Sequence, residues 1–235
     1  MLKFESWLSI LLAMTIWFAS GNAHKKAELG AILGGGWNVL IPRDVGLEFD
    51  PEETGNSFYE NALLKARELH NLLTKCRITV YHDGDPVIAD DSGICVDALG
   101  GRPGIFSARY AGAPDVVAGI VPDGKKLEAC ERNALLLGEL GDSPNRSARF
   151  VCAMALMFSP NVFCVAQETL EGELVKGTEF ARGTGGFGYD PILYIPEMNR
   201  TVAELSDDEK NRISHRGKAG TIIAAVLRAH SPWQK

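Results

Sequence analysis

Five short stretches of this chain carry residues that can do chemistry. The first is Ser20-Gly21-Asn22-Ala23-His24-Lys25, a polar junction between an apolar run and a helix-compatible segment. Unpaired N–H groups and the helix dipole favour an anion at such a junction, and Lys25 adds a mobile positive charge. The same residues also suit an ordinary helix cap with a solvated lysine, and they are not a Walker A loop. The second is Ala89-Asp90-Asp91-Ser92-Gly93. Two adjacent carboxylates behind an apolar strand end are costly to bury unless something cationic pairs with them. Neighbouring side chains of an extended chain point to opposite faces, so the two aspartates take different roles. One can bind a divalent metal or activate water, while the other holds the turn or a second cation. Asp-Asp-Ser-Gly is also good surface-turn chemistry. The apolar flanks, Val87 to Ala89 and Ile94 to Val96, favour a buried functional turn.

The third stretch, Glu52-Glu53-Thr54-Gly55, precedes a helical segment with Glu60, Asn61 and Lys65. Its carboxylates either favour the helix dipole or supply a second ligand to a magnesium site, which usually takes one or two carboxylates plus phosphate oxygens. The fourth, Gly183-Thr184-Gly185-Gly186-Phe187-Gly188-Tyr189-Asp190-Pro191, presents aromatics on a glycine-rich loop. That suits stacking against a planar ring, with a structural turn as the alternative. The fifth joins Lys210 to Ser214-His215-Arg216-Gly217-Lys218. It reads as a solvated basic helix start, or as His215 and Arg216 facing an acceptor-rich base edge. The other histidines (24, 70, 82 and 230) have no metal-ligand spacing. No Ser/His/Asp or Cys/His pattern stands out, which disfavours covalent catalysis.

These stretches need elements to hold them. Thr15 to Ser20 reads as a buried strand, Asn22 to Leu33 as a helix stopped by Gly34-Gly35-Gly36, and Trp37 to Ile41 as a second strand. Ser57 to Leu73 is expected to be helical, with Phe58, Ala62, Ala66, Leu69 and Leu73 inward. A turn at Asp83-Gly84-Asp85-Pro86 precedes a short buried strand, Val87 to Ala89, and Ile94 to Leu99 follows the aspartates. A helix is expected from about Gly124 to Leu140, and paired strands over Arg149 to Phe158 and Val162 to Thr169, around a Ser159-Pro160-Asn161 turn. The last helix is Ile213 to His230. Interleaved strands and helices followed by hairpin strands make an α/β chain with a mixed sheet, read as two lobes with a cleft between them.

Composition narrows the class. The 235 residues are 46% hydrophobic and 23% charged, ordinary for a globular protein and against collagen-like, low-complexity or disordered readings. A net charge of −6 argues against nucleic acid as partner, without excluding a small anion held by local cations. Five cysteines without C-x-x-C spacing fit a reducing, cytosolic interior better than a disulfide framework. The apolar run Leu8 to Ala19 behind Lys3 is too short to span a bilayer. It resembles an export signal cleaved near Gly21, but cleavage there would remove the strand Thr15 to Ser20. The reading adopted starts translation at Met14 and gives residues 1 to 13 little structural meaning.

Each stretch is ambiguous alone; their order is not. Ser-Gly-Asn-x-x-Lys, then Glu-Glu-Thr-Gly-x-Ser-Phe-x-Glu-Asn-Ala-x-x-Lys-Ala, then Ala-Asp-Asp-Ser-Gly-x-x-Val-Asp-Ala-Leu-Gly-Gly-x-Pro-Gly-x-x-Ser-Ala-Arg-Tyr-Ala-Gly, then Gly-Thr-Gly-Gly-Phe-Gly-Tyr-Asp-Pro, then Glu-Lys-x-x-Ile-Ser-His-Arg-Gly-Lys-Ala resembles the inosine triphosphate pyrophosphatase family over about residues 15 to 228. The resemblance implies a mixed central sheet flanked by helices, two lobes around a deep substrate cleft, and a cytoplasmic homodimer. It implies Mg2+-dependent hydrolysis of ITP, dITP and XTP to the monophosphate and pyrophosphate. Ser20, Gly21, Asn22, Ala23, His24 and Lys25 would contact the phosphates, with Lys65 and Lys210 adding positive charge. Glu53 and Asp91 match the metal-associated carboxylates. Asp91 also matches the general base, with Ser92 following as a substrate contact. Phe187, Gly188, Tyr189 and Asp190 would hold the base, while His215 and Arg216 would recognise its oxo edge.

The chain departs from the family pattern at residues 1 to 13, at an insertion from Lys75 to Asp83, over 113 to 123, and at Gly220, where an apolar residue is common. Two other readings keep the architecture. One is a pyrophosphatase for modified pyrimidine triphosphates or dUTP, against which the Ser214-His215-Arg216 cluster argues. The other is a non-catalytic nucleotide-binding module.

Overall fold

The computed structural model describes residues 14–76, 78–82, 84–111 and 127–230. The extension 1 to 13, the poorly matched 113 to 123, and Arg77 and Asp83 of the insertion lie outside them.

Met-Thr-Ile-Trp-Phe has the β-branched and aromatic make-up of a strand covered on both faces. It forms β1 (Met14–Phe18), with Ile16, Trp17 and Phe18 fully buried. Helix α1 (Ala23–Leu33) is capped by Asn22 and ends at Gly34. Strand β2 (Trp37–Leu40) then lies parallel to β1, pairing Met14 with Trp37 and Trp17 with Leu40. Helix α2 (Phe58–Cys76) buries the expected face, Phe58, Ala62, Ala66, Leu69 and Leu73, and runs three residues beyond Leu73.

The Asp-Asp-Ser-Gly stretch is not a turn. Strand β3 (Val87–Val96) passes straight through it, parallel to β1 at Trp17–Val87 and Phe18–Ile88. Gly93 serves close approach here: a Cβ on it would stand 2.4 Å from the Gly104 carbonyl oxygen and from Ser107 Oγ, on the 3₁₀ segment Gly104–Arg109. Gly93→Ala is therefore expected to cost roughly 1–3 kcal/mol, as overpacking does, read as a lower urea midpoint at unchanged m-value.

Helix α3 (Ala129–Leu140) ends where expected, and the expected start near Gly124 lies outside the described residues. Strands β4 (Ser147–Ser159) and β5 (Val162–Leu174) are adjacent and joined through Pro160 and Asn161, as the turn residues foretold. Two short strands, β6 (Leu193–Ile195) and β7 (Arg200–Thr201), add antiparallel pairs beyond β5. The mixed seven-stranded order is β2-β1-β3-β4-β5-β6-β7. The expected last helix is α5 (His215–His230), and a short helix that was not expected, α4 (Asp207–Ile213), precedes it, parted from it by Ser214 in an extended conformation. No helix among the described residues is long and apolar enough to cross a membrane.

Two compact units emerge among the described residues. One comprises residues 14–91, 153–167 and 216–230, the other 92–152 and 168–215. The first buries Trp17, Phe18, Leu29, Leu33, Leu69, Leu73 and Ile88. Within it Gly220 lets α5 approach α1, since a Cβ there would lie 2.9 Å from Ile32 Cγ2. An apolar side chain at that position would collide with Ile32. The second unit is built on Ile94, Val96, Leu136, Phe150, Leu170, Tyr189, Ile192 and Leu193.

Candidate active site

In the first unit, Asn22 Oδ1 accepts hydrogen bonds from the backbone N–H groups of His24 (2.9 Å) and Lys25 (3.2 Å), and Ser20 Oγ accepts from that of Asn22 (3.1 Å). The junction is thus a true cap. A cavity of about 500 Å³ opens beside Ser20 and Gly21, walled also by Pro42, Arg43, Leu47 and Phe49.

The two aspartates have separate partners, as alternation along a strand requires. Asp90 Oδ1 lies 3.0 Å from Lys25 Nζ, and its Oδ2 accepts from Arg216 Nε (3.1 Å) and Nη2 (3.0 Å). Glu28 takes the remaining Arg216 nitrogen, Nη1, at 2.6 Å. Burial alone would push the Asp90 carboxyl upward, but Lys25 and Arg216 hold it well below the ordinary carboxylate range. Asp90 and Glu28 thus occupy the Arg216 nitrogens in this structure.

Asp91 belongs to a second group. Its Oδ1 lies 3.0 Å from Lys65 Nζ and its Oδ2 accepts from Asn61 Nδ2 at 3.2 Å. Glu53 Oε1 meets the same Nζ at 2.9 Å. Asn61 and Lys65 stand four residues apart on α2, hence on one face. Asn61 Oδ1 also accepts from the Gly55 N–H at 2.8 Å, which fixes the loop carrying Glu53. Burial raises the Asp91 pKa, with the neighbouring Glu53 adding to it and Lys65 opposing. Burial also works against the Lys65 charge, yet Asp91, Asp90 and Glu53 raise its pKa above the ordinary value, so it stays protonated.

Two hard carboxylate oxygens thus converge on one point of positive charge, the donor type that Mg2+ takes. No group of three or more His, Cys, Asp or Glu among the described residues could hold a metal ion. An ion at Glu53 and Asp91 would accordingly keep positions for phosphate oxygens and water.

In the second unit the glycine-rich loop folds around Asp190. Asp190 Oδ2 accepts from the Phe187 N–H (2.7 Å) and from Lys210 Nζ (2.9 Å), and that ammonium sits 4.6 Å from the centroid of the half-buried Phe187 ring. Lys210 is therefore a buried partner of Asp190 and Phe187. Tyr189 is a core residue rather than a presented one, its hydroxyl donating to the Ser107 carbonyl at 2.9 Å. His215 is buried and stacked on Phe150 with centroids 4.9 Å apart. Ser92 is half-buried on β3. Gly186 has φ +72°, and a Cβ there would lie 2.1 Å from Asp190 Oδ2. Gly186→Ala combines a strained backbone with that collision and is expected to cost about 2–4 kcal/mol, visible as a lowered melting temperature.

Glu28 and Asn133 escaped the sequence reading. Glu28 stands three residues after Lys25, a helical spacing, but a lone glutamate on an exposed helix gives no sign of a distant arginine. Asn133 follows Glu131 and Arg132 and precedes the apolar run of α3, and nothing in its spacing marks it.

Residues 16–225 match the model of the Ham1 family. The dITP/XTP pyrophosphatase of Treponema denticola is 43% identical over 215 residues, covering 92% of this chain and 99% of that one. The dITP/XTP pyrophosphatase of Thioalkalivibrio sulfidiphilus is 44% identical over 220 residues, covering 91% and 98%. Among solved structures, the Staphylococcus aureus Ham1 protein superposes with a TM-score of 0.73 at 35% identity, covering 92% of this chain and 100% of that one.

Proposed function

The chain belongs to the Ham1 family, and on that footing we propose that it hydrolyses non-standard purine nucleoside triphosphates, ITP, dITP and XTP, to the monophosphate and pyrophosphate. The observation that carries this reading is the convergence of Glu53 and Asp91 on Lys65, beside the capped junction that presents Lys25. Carboxylates for a hard cation and ammonium groups for phosphate oxygens form the donor set that an anhydride hydrolase needs.

Ser20 to Lys25 bind the phosphate chain through the cap, Gly21 and Lys25, and Lys65 contributes a second cation. Glu53 and Asp91 hold Mg2+, which when bound neutralises phosphate charge and makes the α-phosphorus more electrophilic. Asp91 orients the attacking water and takes its proton onto a carboxylate oxygen, while Asn61 and Lys65 keep that carboxylate in place. Phe187 stacks on the purine, steadied by Lys210 and Asp190, with Ser92 and the loop backbone as further contacts. His215 and Arg216 read the 6-oxo acceptor, Arg216 exchanging its Glu28 contact for it.

Hypoxanthine and xanthine offer that acceptor; adenine offers a 6-amino donor in its place, which forgoes each such hydrogen bond and sets donor against donor, at about 1–3 kcal/mol each. Incubation with ITP, dITP, XTP and ATP in Mg2+ tests the reading. Pyrophosphate and IMP are expected from ITP, with ATP turned over about a hundredfold more slowly or worse, and chelation by EDTA abolishing release. Orthophosphate as first product, or equal rates on ATP, would contradict it. Assembly as a cytoplasmic homodimer belongs to the same reading, and light scattering of the purified protein tests the dimer.

A further inference from the structure

The loop that carries Phe187 needs anchors its own sequence does not supply. Phe187 lies between Gly186 and Gly188, both in left-handed conformations (φ +72° and +64°), and glycine resists such freedom least of all residues. The Asp190 carboxylate ties the loop to itself, through Phe187 N–H, and to Lys210. Two further bonds reach it from other elements of the second unit. Asn133, on α3 and 7% exposed, donates from Nδ2 to the Gly188 carbonyl at 3.1 Å. One residue on, the Tyr189 hydroxyl donates to the Ser107 carbonyl, and Ser107 Oγ in turn accepts from the Ile94 N–H of β3 at 2.8 Å.

Asn133 Oδ1 is buried without a hydrogen-bond partner. A buried amide that leaves its oxygen unsatisfied is an expensive way to fill a helix face, where leucine of similar size would pack without that cost. Turning the amide over would set Oδ1 against the Gly188 carbonyl, so the donor must face the loop. The single bond the side chain makes therefore accounts for its presence.

We propose that Asn133 is a positioning residue for base recognition: by holding the Gly188 carbonyl it sets the attitude of the Phe187 ring, with Tyr189 and Ser107 as a second anchor. The proposal rests on the reading that Phe187 stacks on the purine. The bond lies at the base end of the substrate, so its loss acts on nucleotide binding and leaves phosphate binding alone.

The test compares Asn133→Asp, Asn133→Leu and Tyr189→Phe with the parent protein and with Phe187→Ala. For each, kcat and KM for ITP are measured, together with the inhibition constants of IMP and of pyrophosphate, which carry the base end and the phosphate end separately. Asn133→Asp is expected to raise KM and the IMP constant about tenfold, the factor for one ordinary hydrogen bond, with kcat within about twofold and the pyrophosphate constant unchanged. Asn133→Leu is expected to do the same and Tyr189→Phe to follow in the same direction; the latter, retaining its ring, keeps the test valid should both Asn133 variants fold poorly. If KM and the pyrophosphate constant rise together, or if KM stays at the parent value while Phe187→Ala raises it, the proposal is overturned. If Phe187→Ala itself leaves KM unchanged, the stacking reading fails and takes the proposal with it.

Discussion

Replacing Asp91 by asparagine is expected to lower kcat for ITP about 10³-fold or more, because general-base assistance alone contributes about 10²–10⁴ and the same oxygens are wanted by the metal. The substitution is nearly isosteric. Asn61 can still hydrogen-bond the new side chain, and Lys65 keeps Glu53 as a partner at 2.9 Å. The fold should therefore persist, and far-UV dichroism should match the parent. The pH profile carries a second signature. Burial displaces the Asp91 carboxyl above its ordinary value of 3.8, and a base works only when ionised. In kcat/KM, which reports the free enzyme, activity should fall as pH drops through a value above the ordinary 3.8. Asp91→Asn should lack that acid limb. A variant retaining a tenth of the parent rate would remove Asp91 from the role of base.

The second large effect is on stability. Asp90→Asn leaves Arg216 and Lys25 facing a neutral amide in a place where the Asp90 side chain is fully buried and that of Arg216 is 2% exposed. Breaking a buried pair by removing one partner costs about 3–5 kcal/mol, which for a chain of this size lowers the melting temperature by roughly 6–20 °C. Asparagine is nearly the size of aspartate, so a cavity contributes little to the loss. The pH dependence has a definite sign. A carboxyl whose pKa is lower in the folded than in the unfolded chain stabilises the fold fully above its ordinary pKa, and that contribution disappears as pH falls through the folded value. The gap in melting temperature between parent and variant should thus be constant from about pH 5 upward and close only in stronger acid. A gap of less than about 2 °C at neutral pH would show that Asp90 is not what holds the two cations.

Elements with strong periodicity or strong punctuation were legible in the sequence. β1, α1 with its asparagine cap, the inward face of α2 and the turn between β4 and β5 all follow from side-chain type and spacing. Local chemistry misled at Asp90-Asp91-Ser92-Gly93, where turn-forming residues lie inside a strand. What decides there is nonlocal: cations from α1, α2 and α5 compensate the carboxylates, and the 3₁₀ segment at Gly104 requires a glycine opposite it. β6 and β7 are three and two residues long, too short for a period of two to register. Helix α4 was missed for a similar reason, since it is only seven residues long and one residue separates it from α5.

The candidate site divides along the same line. Asp91, Glu53 and Lys65 were marked as a group by the family resemblance and not by residue type, since glutamates ahead of a helix equally favour its dipole. Which cation meets which carboxylate was not legible. Lys210 and Arg216 are both basic residues near one helix start, yet the fold gives the first to Asp190 and the second to Asp90 and Glu28. Pairings of that kind depend on sequence separations of 20 to 188 residues, which no local pattern encodes.

Asp90 joins Lys25 near the beginning of the chain to Arg216 near its end. During synthesis on the ribosome the aspartate and its first cation emerge long before the second. A nascent chain, or one cut short ahead of residue 216, carries Ser20 to Lys25, the proposed phosphate contacts, but leaves a buried anion half neutralised. Such a fragment would open there to water and to proteases, so the molecule gains its working charge balance only when its final helix has been delivered.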